Sequence, residues 1–195
     1  MQIDMIQPPA RPKRHKPYDL SKFRVLIVED YPFIADLLSS ALSQMGIGST
    51  LIAHTVDAAK EHILSANAVS SLQNIDAIVL DWILLDGTAI DLLHWIRSHR
   101  RDSIKFMPVI LCSANTSQSL VTQARDAGIT EAMVKPVSAE KLANRILHVI
   151  DHLRPFIQTP DFFGPDRRRK IEKYTGSDRR ITKKEDIAEE HEKLP

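Results

Sequence analysis

Between residues 23 and 154, five short apolar runs alternate with five amphipathic helical stretches, and no other feature of the chain constrains its fold as much. RVLIV at 24–28 is apolar and β-branched, the pattern of a strand buried on both faces. Phe33, Ile34, Leu37, Leu38, Ala41, Leu42 and Met45 then recur at spacings of three and four, and Gly46 stops that helix. STLIAH at 49–54, a helix at 56–64, IDAIVL at 75–80, a helix at 88–98 and FMPVILC at 106–112 continue the series. A helix at 117–128 closed by Gly128, the run EAMV at 131–134 and a helix at 139–153 complete it. This alternation predicts an α/β fold, a doubly wound five-stranded parallel sheet covered by helices on both faces.

The flanks differ from this body. Residues 1–22 carry prolines and five basic residues against two acidic ones, with no helical or strand period, and read as a flexible basic arm. Residues 23–154 form a body of net charge -3, and 155–195 a charged tail in which the apolar period stops. The longest apolar runs are strand-sized, so no membrane span is expected. MQIDMIQPPARPKRHK lacks the apolar core of a secretory signal, which makes a cytoplasmic protein the simplest expectation. The single Cys112 excludes an intrachain disulfide and reads as a packed small hydrophobe.

The tail holds one internal repeat. Phe162 to Arg168 and Tyr174 to Arg180 share the pattern aromatic, spacer, Gly, spacer, Asp, Arg, Arg. Aromatic and arginine side chains dominate binding hot spots, and two copies on one segment can act bivalently. Phe163, Asp166, Arg167, Arg168, Tyr174, Asp178, Arg179 and Arg180 are therefore candidate partner-docking residues, ordering on another protein or on the body's own acidic surface. Asp166, Glu172 and Asp178 interrupt the basic stretch, so a protein rather than nucleic acid is the expected partner.

In an open parallel sheet, functional groups gather beyond the carboxyl ends of the strands. The first run ends in Glu29 and Asp30, the third in Asp81, the fourth in Cys112 and Ser113, and the fifth in Lys135 and Pro136. If the first and third strands are neighbours, three carboxylates converge, and they stay ionised together only with a compensating cation. Oxygen ligands without His or Cys suit Mg²⁺ beside a phosphoryl group. A carboxylate can itself accept a phosphoryl group. Asp81 stands singly at its strand end and is the candidate acceptor, with Glu29 and Asp30 placed as metal ligands.

VLIVED at 25–30, VLDWILLDG at 79–87, PVILCSA at 108–114 and AGITEAMVKP at 127–136 occur in that order on the five-fold alternation. Together they resemble a receiver domain of the two-component response regulators, over residues 23–154. The resemblance implies the flavodoxin-like receiver fold with strand order 2-1-3-4-5, flanked by flexible extensions. It also implies phosphorylation of Asp81, and Mg²⁺ held by Glu29, Asp30, Asp81 and the backbone carbonyl of Ile83. Ser113 and Lys135 would bind the phosphoryl oxygens, and the Lys135–Pro136 bond would be cis. The implied donor is a histidine kinase or histidine phosphotransfer protein, and the implied output is contact with a downstream protein. Such a chain is no enzyme beyond catalysing its own phosphorylation and dephosphorylation.

Three positions depart from the family pattern. Leu85 replaces a usual proline, Ala132 replaces the aromatic that often rotates inward on activation, and Ser113 stands where threonine is commoner. Two rival readings remain. A pseudo-receiver scaffold unregulated by phosphorylation is favoured by Ala132 and opposed by the complete acidic site. A Mg²⁺-dependent phosphatase of the haloacid dehalogenase type also uses a strand-end Asp, but it needs a second Asp where Ile83 stands.

Overall fold

The structure, a computed structural model, describes residues 19–67, 74–114, 117–152, 154–159, 162–166 and 188–190. In chain order the first half comprises β1 (Arg24–Val28), α1 (Pro32–Gln44), β2 (Ser49–Ala53), α2 (Val56–Ala66), β3 (Ala77–Asp81), β4 (Ile83–Leu84), β5 (Gly87–Thr88) and α3 (Ala89–Arg97). The second half comprises α4 (Asp102–Lys105), β6 (Val109–Ser113), α5 (Gln118–Asp126), β7 (Glu131–Val134), α6 (Ala139–Asp151), β8 (Phe156–Thr159), β9 (Phe162–Pro165) and β10 (Ala188–Glu190).

The main sheet is parallel, in the order β2-β1-β3-β6-β7. These are the five apolar runs in the expected order 2-1-3-4-5. Successive side chains of a strand point to opposite faces, so each strand feeds two cores. Leu26, Val28, Ile78, Leu80 and Leu111 pack with Leu92, Leu93 and Ile96 of α3 on one face. Val25, Ile27, Val79 and Ile110 pack with Leu38 and Leu42 of α1 and Leu142 and Ile146 of α6 on the other. Gly46 and Gly128 end α1 and α5 with φ of 84° and 89°, the left-handed conformation that glycine adopts without steric cost.

Packing begins ahead of residue 23. Leu20 is buried in the second core, and its carbonyl accepts the N–H groups of Phe23 and Gly48. Two small elements have no period to announce them: the ribbon β4–β5, where Ile83 pairs with Thr88, and the single-turn helix α4.

The apolar period was expected to stop at residue 155, yet β8, β9 and β10 form an antiparallel sheet in the order β10-β8-β9. Two four-residue strands, one following Pro155 and one ending at Pro165, are too short to show alternation. Phe106 collects them: its ring centre lies 4.9 Å from that of Phe156 and 5.4 Å from that of Phe163. Asp166 N–H donates to the Pro155 carbonyl at 2.8 Å and closes the hairpin. Backbone meets backbone here, since a Cβ on Gly164 would lie 2.9 Å from Gly128 Cα. Phe163 meets Phe106 and Lys105, whose Nζ lies 3.9 Å from its ring centre, so of the two expected surfaces, another protein or the body's own acidic one, it packs on neither here. Arg167, Arg168, Tyr174, Asp178, Arg179 and Arg180 lie outside the described residues.

Candidate functional site

The C-terminal ends of β1 and β3 are neighbours because the two strands pair directly, Val28 with Leu80. Glu29 and Asp30 follow β1, and Asp81 ends β3. One carboxylate oxygen from each of the three lies within 4.8 Å of the others. Glu29 is buried at 2% exposure, while Asp30 and Asp81 are half-buried. Lys135 reaches across from the end of β7, two strands beyond β3. Its Nζ sits 2.7 Å from Glu29 Oε2 and 3.0 Å from Asp81 Oδ2. The Lys135–Pro136 peptide is cis, and Lys135 N–H donates to the Ser113 carbonyl at 2.9 Å.

The electrostatics follow from this crowding. Burial pushes the Glu29 carboxyl above its ordinary value, and the charge of Asp81 adds to the rise while Lys135 opposes it. Burial works against the Lys135 ammonium, but hydrogen bonds and charge from Glu29 and Asp81 outweigh it and leave its pKa raised. Lys135 therefore stays charged and compensates part of the acidic cluster. Cys112 lies beside this site, and burial pushes its thiol up to about 12, so it remains an inert packed hydrophobe.

Ser113 ends β6 at 5% exposure, beside Val134 in register. Capping the next helix would have been a competing role for it. That cap is Ser117, whose side chain accepts the Leu120 N–H at 3.4 Å, so Ser113 is not spent there. Ile83, two residues after the acceptor position, stands on the ribbon β4–β5.

Sequence reasoning missed three supports. Trp82 N–H donates to Asp81 Oδ1 at 2.8 Å and fixes that carboxylate. His54 Nδ1 lies 2.8 Å from the Glu29 carbonyl, tying β2's end to the acidic pair. Asp86 accepts the N–H groups of Val56 at 2.7 Å and Asp57 at 3.1 Å, so the loop after the acceptor caps α2. A strand-end histidine and an Asp–Gly turn are too common for sequence to single these out; only the fold shows what they meet.

The donor set is all oxygen, carries three formal negative charges and has one ammonium, which fits a hard divalent cation. A family model, the response regulator receiver domain, matches residues 25–147. This chain belongs to the response regulator receiver family. The chemotaxis protein CheY of Pseudomonas aeruginosa is 27% identical over 130 residues, covering 67% of this receiver chain and 98% of its own length. The transcriptional regulatory protein KdpE of Staphylococcus aureus is 31% identical over 123 residues, which cover 63% of this chain and 48% of KdpE. Among solved structures, a two-component response regulator from Clostridium difficile shares the fold with a TM-score of 0.58 at 21% identity, covering 67% of this chain and 98% of its own. The chemotaxis protein CheY4 of Vibrio cholerae aligns with a TM-score of 0.58 at 23% identity, covering 65% and 98%. Among the described residues of the receiver, no helix is long and apolar enough to cross a membrane.

Proposed function

We propose that this receiver takes a phosphoryl group on Asp81 from a histidine kinase or histidine phosphotransfer protein and signals by contact with another protein. The observation that carries this reading is the Lys135 ammonium bridging Glu29 and Asp81 at 2.7 and 3.0 Å beside a third carboxylate. A merely solvated set of strand-end charges has no reason to gather on one half-buried cation.

Asp81 is the nucleophile: a carboxylate oxygen forms the new O–P bond as the phosphorus–nitrogen bond of the donor phosphohistidine breaks. The Trp82 N–H holds Oδ1, which leaves Oδ2, now on Lys135, to attack. Lys135 then transfers its hydrogen bond from Asp81 to a phosphoryl oxygen, and the Ser113 hydroxyl donates to another. Glu29, Asp30, Asp81 and the Ile83 carbonyl would hold Mg²⁺, which supplies charge neutralisation for the transferring group. Tyr31, Phe33, Leu85 and Val134 lie within four residues of these in sequence and, with Ile83, are exposed large apolar side chains, a rim suited to a docking donor. The duplicated tail motif is the proposed contact for the downstream protein.

Incubation with a small phosphodonor and Mg²⁺ tests the reading. A stable acyl phosphate supports it; continuous release of phosphate would indicate a phosphatase, and no incorporation a pseudo-receiver. Lys135→Ala is expected to impair the response to phosphorylation more than Ser113→Ala, because it strips a full charge from an anionic site. Equal and negligible losses, measured by partner binding of the phosphorylated forms, would return Lys135 to a surface charge. Mg²⁺ is expected to change the intrinsic fluorescence through Trp82, and Trp82→Phe to remove most of that change although Trp95 remains. A signal that survives in the Phe variant would place the cation elsewhere.

A further inference from the structure

At the far end of the sheet from Asp81, Arg97 closes α3 at 5% exposure. Its Nε donates to the Gly128 carbonyl, and its Nη1 to those of Lys105 and Met107, each at 2.8 Å. The Phe156 ring of the hairpin lies 5.2 Å from its guanidinium carbon. Among the described residues these partners are dipoles and a ring, not a carboxylate, and Nη2 has no acceptor. Burial pushes the Arg97 guanidinium down to about 9, which leaves it charged at neutral pH, and its charge acts through a medium that screens poorly.

Above Arg97 lies a groove of about 630 Å³ between α3, α4, the end of α5 and the β8–β9 hairpin, a volume in the range of small-molecule sites. Trp95, His99, Arg100, Lys105 and Phe162 line it with Arg97. Among the described residues its acidic lining is Asp102 and Asp126 against the three cations Arg97, Arg100 and Lys105, and His94 and His99 add donors. Burial, then the charges of Arg101 and Arg100, hold the His99 imidazole below its ordinary value. Cations beside aromatic rings in one concave site recognise a ligand that carries both an anionic group and a planar ring.

We propose that this groove binds a nucleotide, its phosphate held by Arg100, Lys105 and His99 and its base against Trp95 and Phe162. An anion there supplies a counter-charge that Arg97 does not find among the described residues. The ligand would tie the hairpin to α3 and α4, so binding stabilises the packing of β8 and β9 on the receiver. The site shares no residue with the acidic cluster around Asp81.

The test uses the full chain carrying Trp82→Phe, with EDTA to keep divalent cations from the acidic site, so that Trp95 is the only tryptophan reporting. Titration with AMP and with GMP is expected to change Trp95 fluorescence saturably, and inorganic phosphate at the same concentrations is expected to do so far less. Arg100 is exposed, so Arg100→Ala leaves the fold intact; it should weaken nucleotide affinity about tenfold or more, the loss of one charge-assisted contact. Calorimetry on the chain with both tryptophans should give the same affinities. No saturable change with either nucleotide, an equal response to phosphate, or unchanged affinity in Arg100→Ala would each overturn the proposal.

Discussion

Asp81→Asn is expected to abolish phosphoryl incorporation while leaving the folded state as stable as the parent or slightly more so. The amide keeps the shape of the carboxylate and loses the nucleophilic oxygen, so no acyl phosphate can form. The stability expectation comes from two opposed effects at the same site. The substitution weakens one contact, the 3.0 Å pair with Lys135, which is partly exposed and so worth about 1 kcal/mol or less. It also removes the negative charge that helps raise the Glu29 carboxyl, and Lys135 remains on Glu29 at 2.7 Å. Intact-mass measurement after treatment with a small phosphodonor and Mg²⁺ decides the first part, and urea unfolding the second. Incorporation equal to the parent would move the acceptor to another residue; a large loss of stability would mean that Asp81 holds the fold rather than serving chemistry.

The parts of this receiver legible in its sequence share a physical property: they repeat or they stand at an end. Strand runs such as RVLIV and the three- and four-residue spacing in α1 and α6 are periodic over many residues, so burial leaves a clear imprint. The site was legible because strand ends are where a parallel sheet presents groups, and Glu29, Asp30, Asp81, Ser113 and Lys135 each close or directly follow a run. What stayed hidden is set by single long-range meetings. Asp86 caps a helix thirty residues earlier, and His54 meets a carbonyl twenty-five residues away. Arg97 looks like any cation in the last turn of a helix, a position that favours the macrodipole; only the packing of Phe156 over it shows that it is buried. The hairpin escaped notice because its strands are four residues long, β8 following a proline and β9 ending in Gly164 and Pro165.

That hairpin makes the second large effect a matter of where the chain is cut. Phe156 and Ile157 are 8% and 9% exposed, and burying such a side chain is worth about 1.5–3 kcal/mol. Ending the chain at residue 153 removes both, uncovers Phe106, and strips Glu131 of Arg154 at 2.7 Å while Arg145 at 2.8 Å remains. Arg97 offsets a part of this, since the uncovered guanidinium gains water as a partner for Nη2. Area-based sums are upper estimates, so a loss of about 3–5 kcal/mol is expected, a large fraction of the stability of an ordinary domain. Ending the chain at residue 166 keeps β8, β9 and the closing bond from Asp166 to Pro155, and among the described residues gives up the three-residue pairing with β10. Its expected loss is about 1 kcal/mol or less, because an edge strand of that length adds few pairs. Urea unfolding of the two truncated chains beside the full one measures the difference directly. Coincident midpoints for all three would show that the hairpin merely rests on the receiver. A midpoint that falls only in the shorter chain would extend the folding unit past residue 147, where the family match ends, to Asp166.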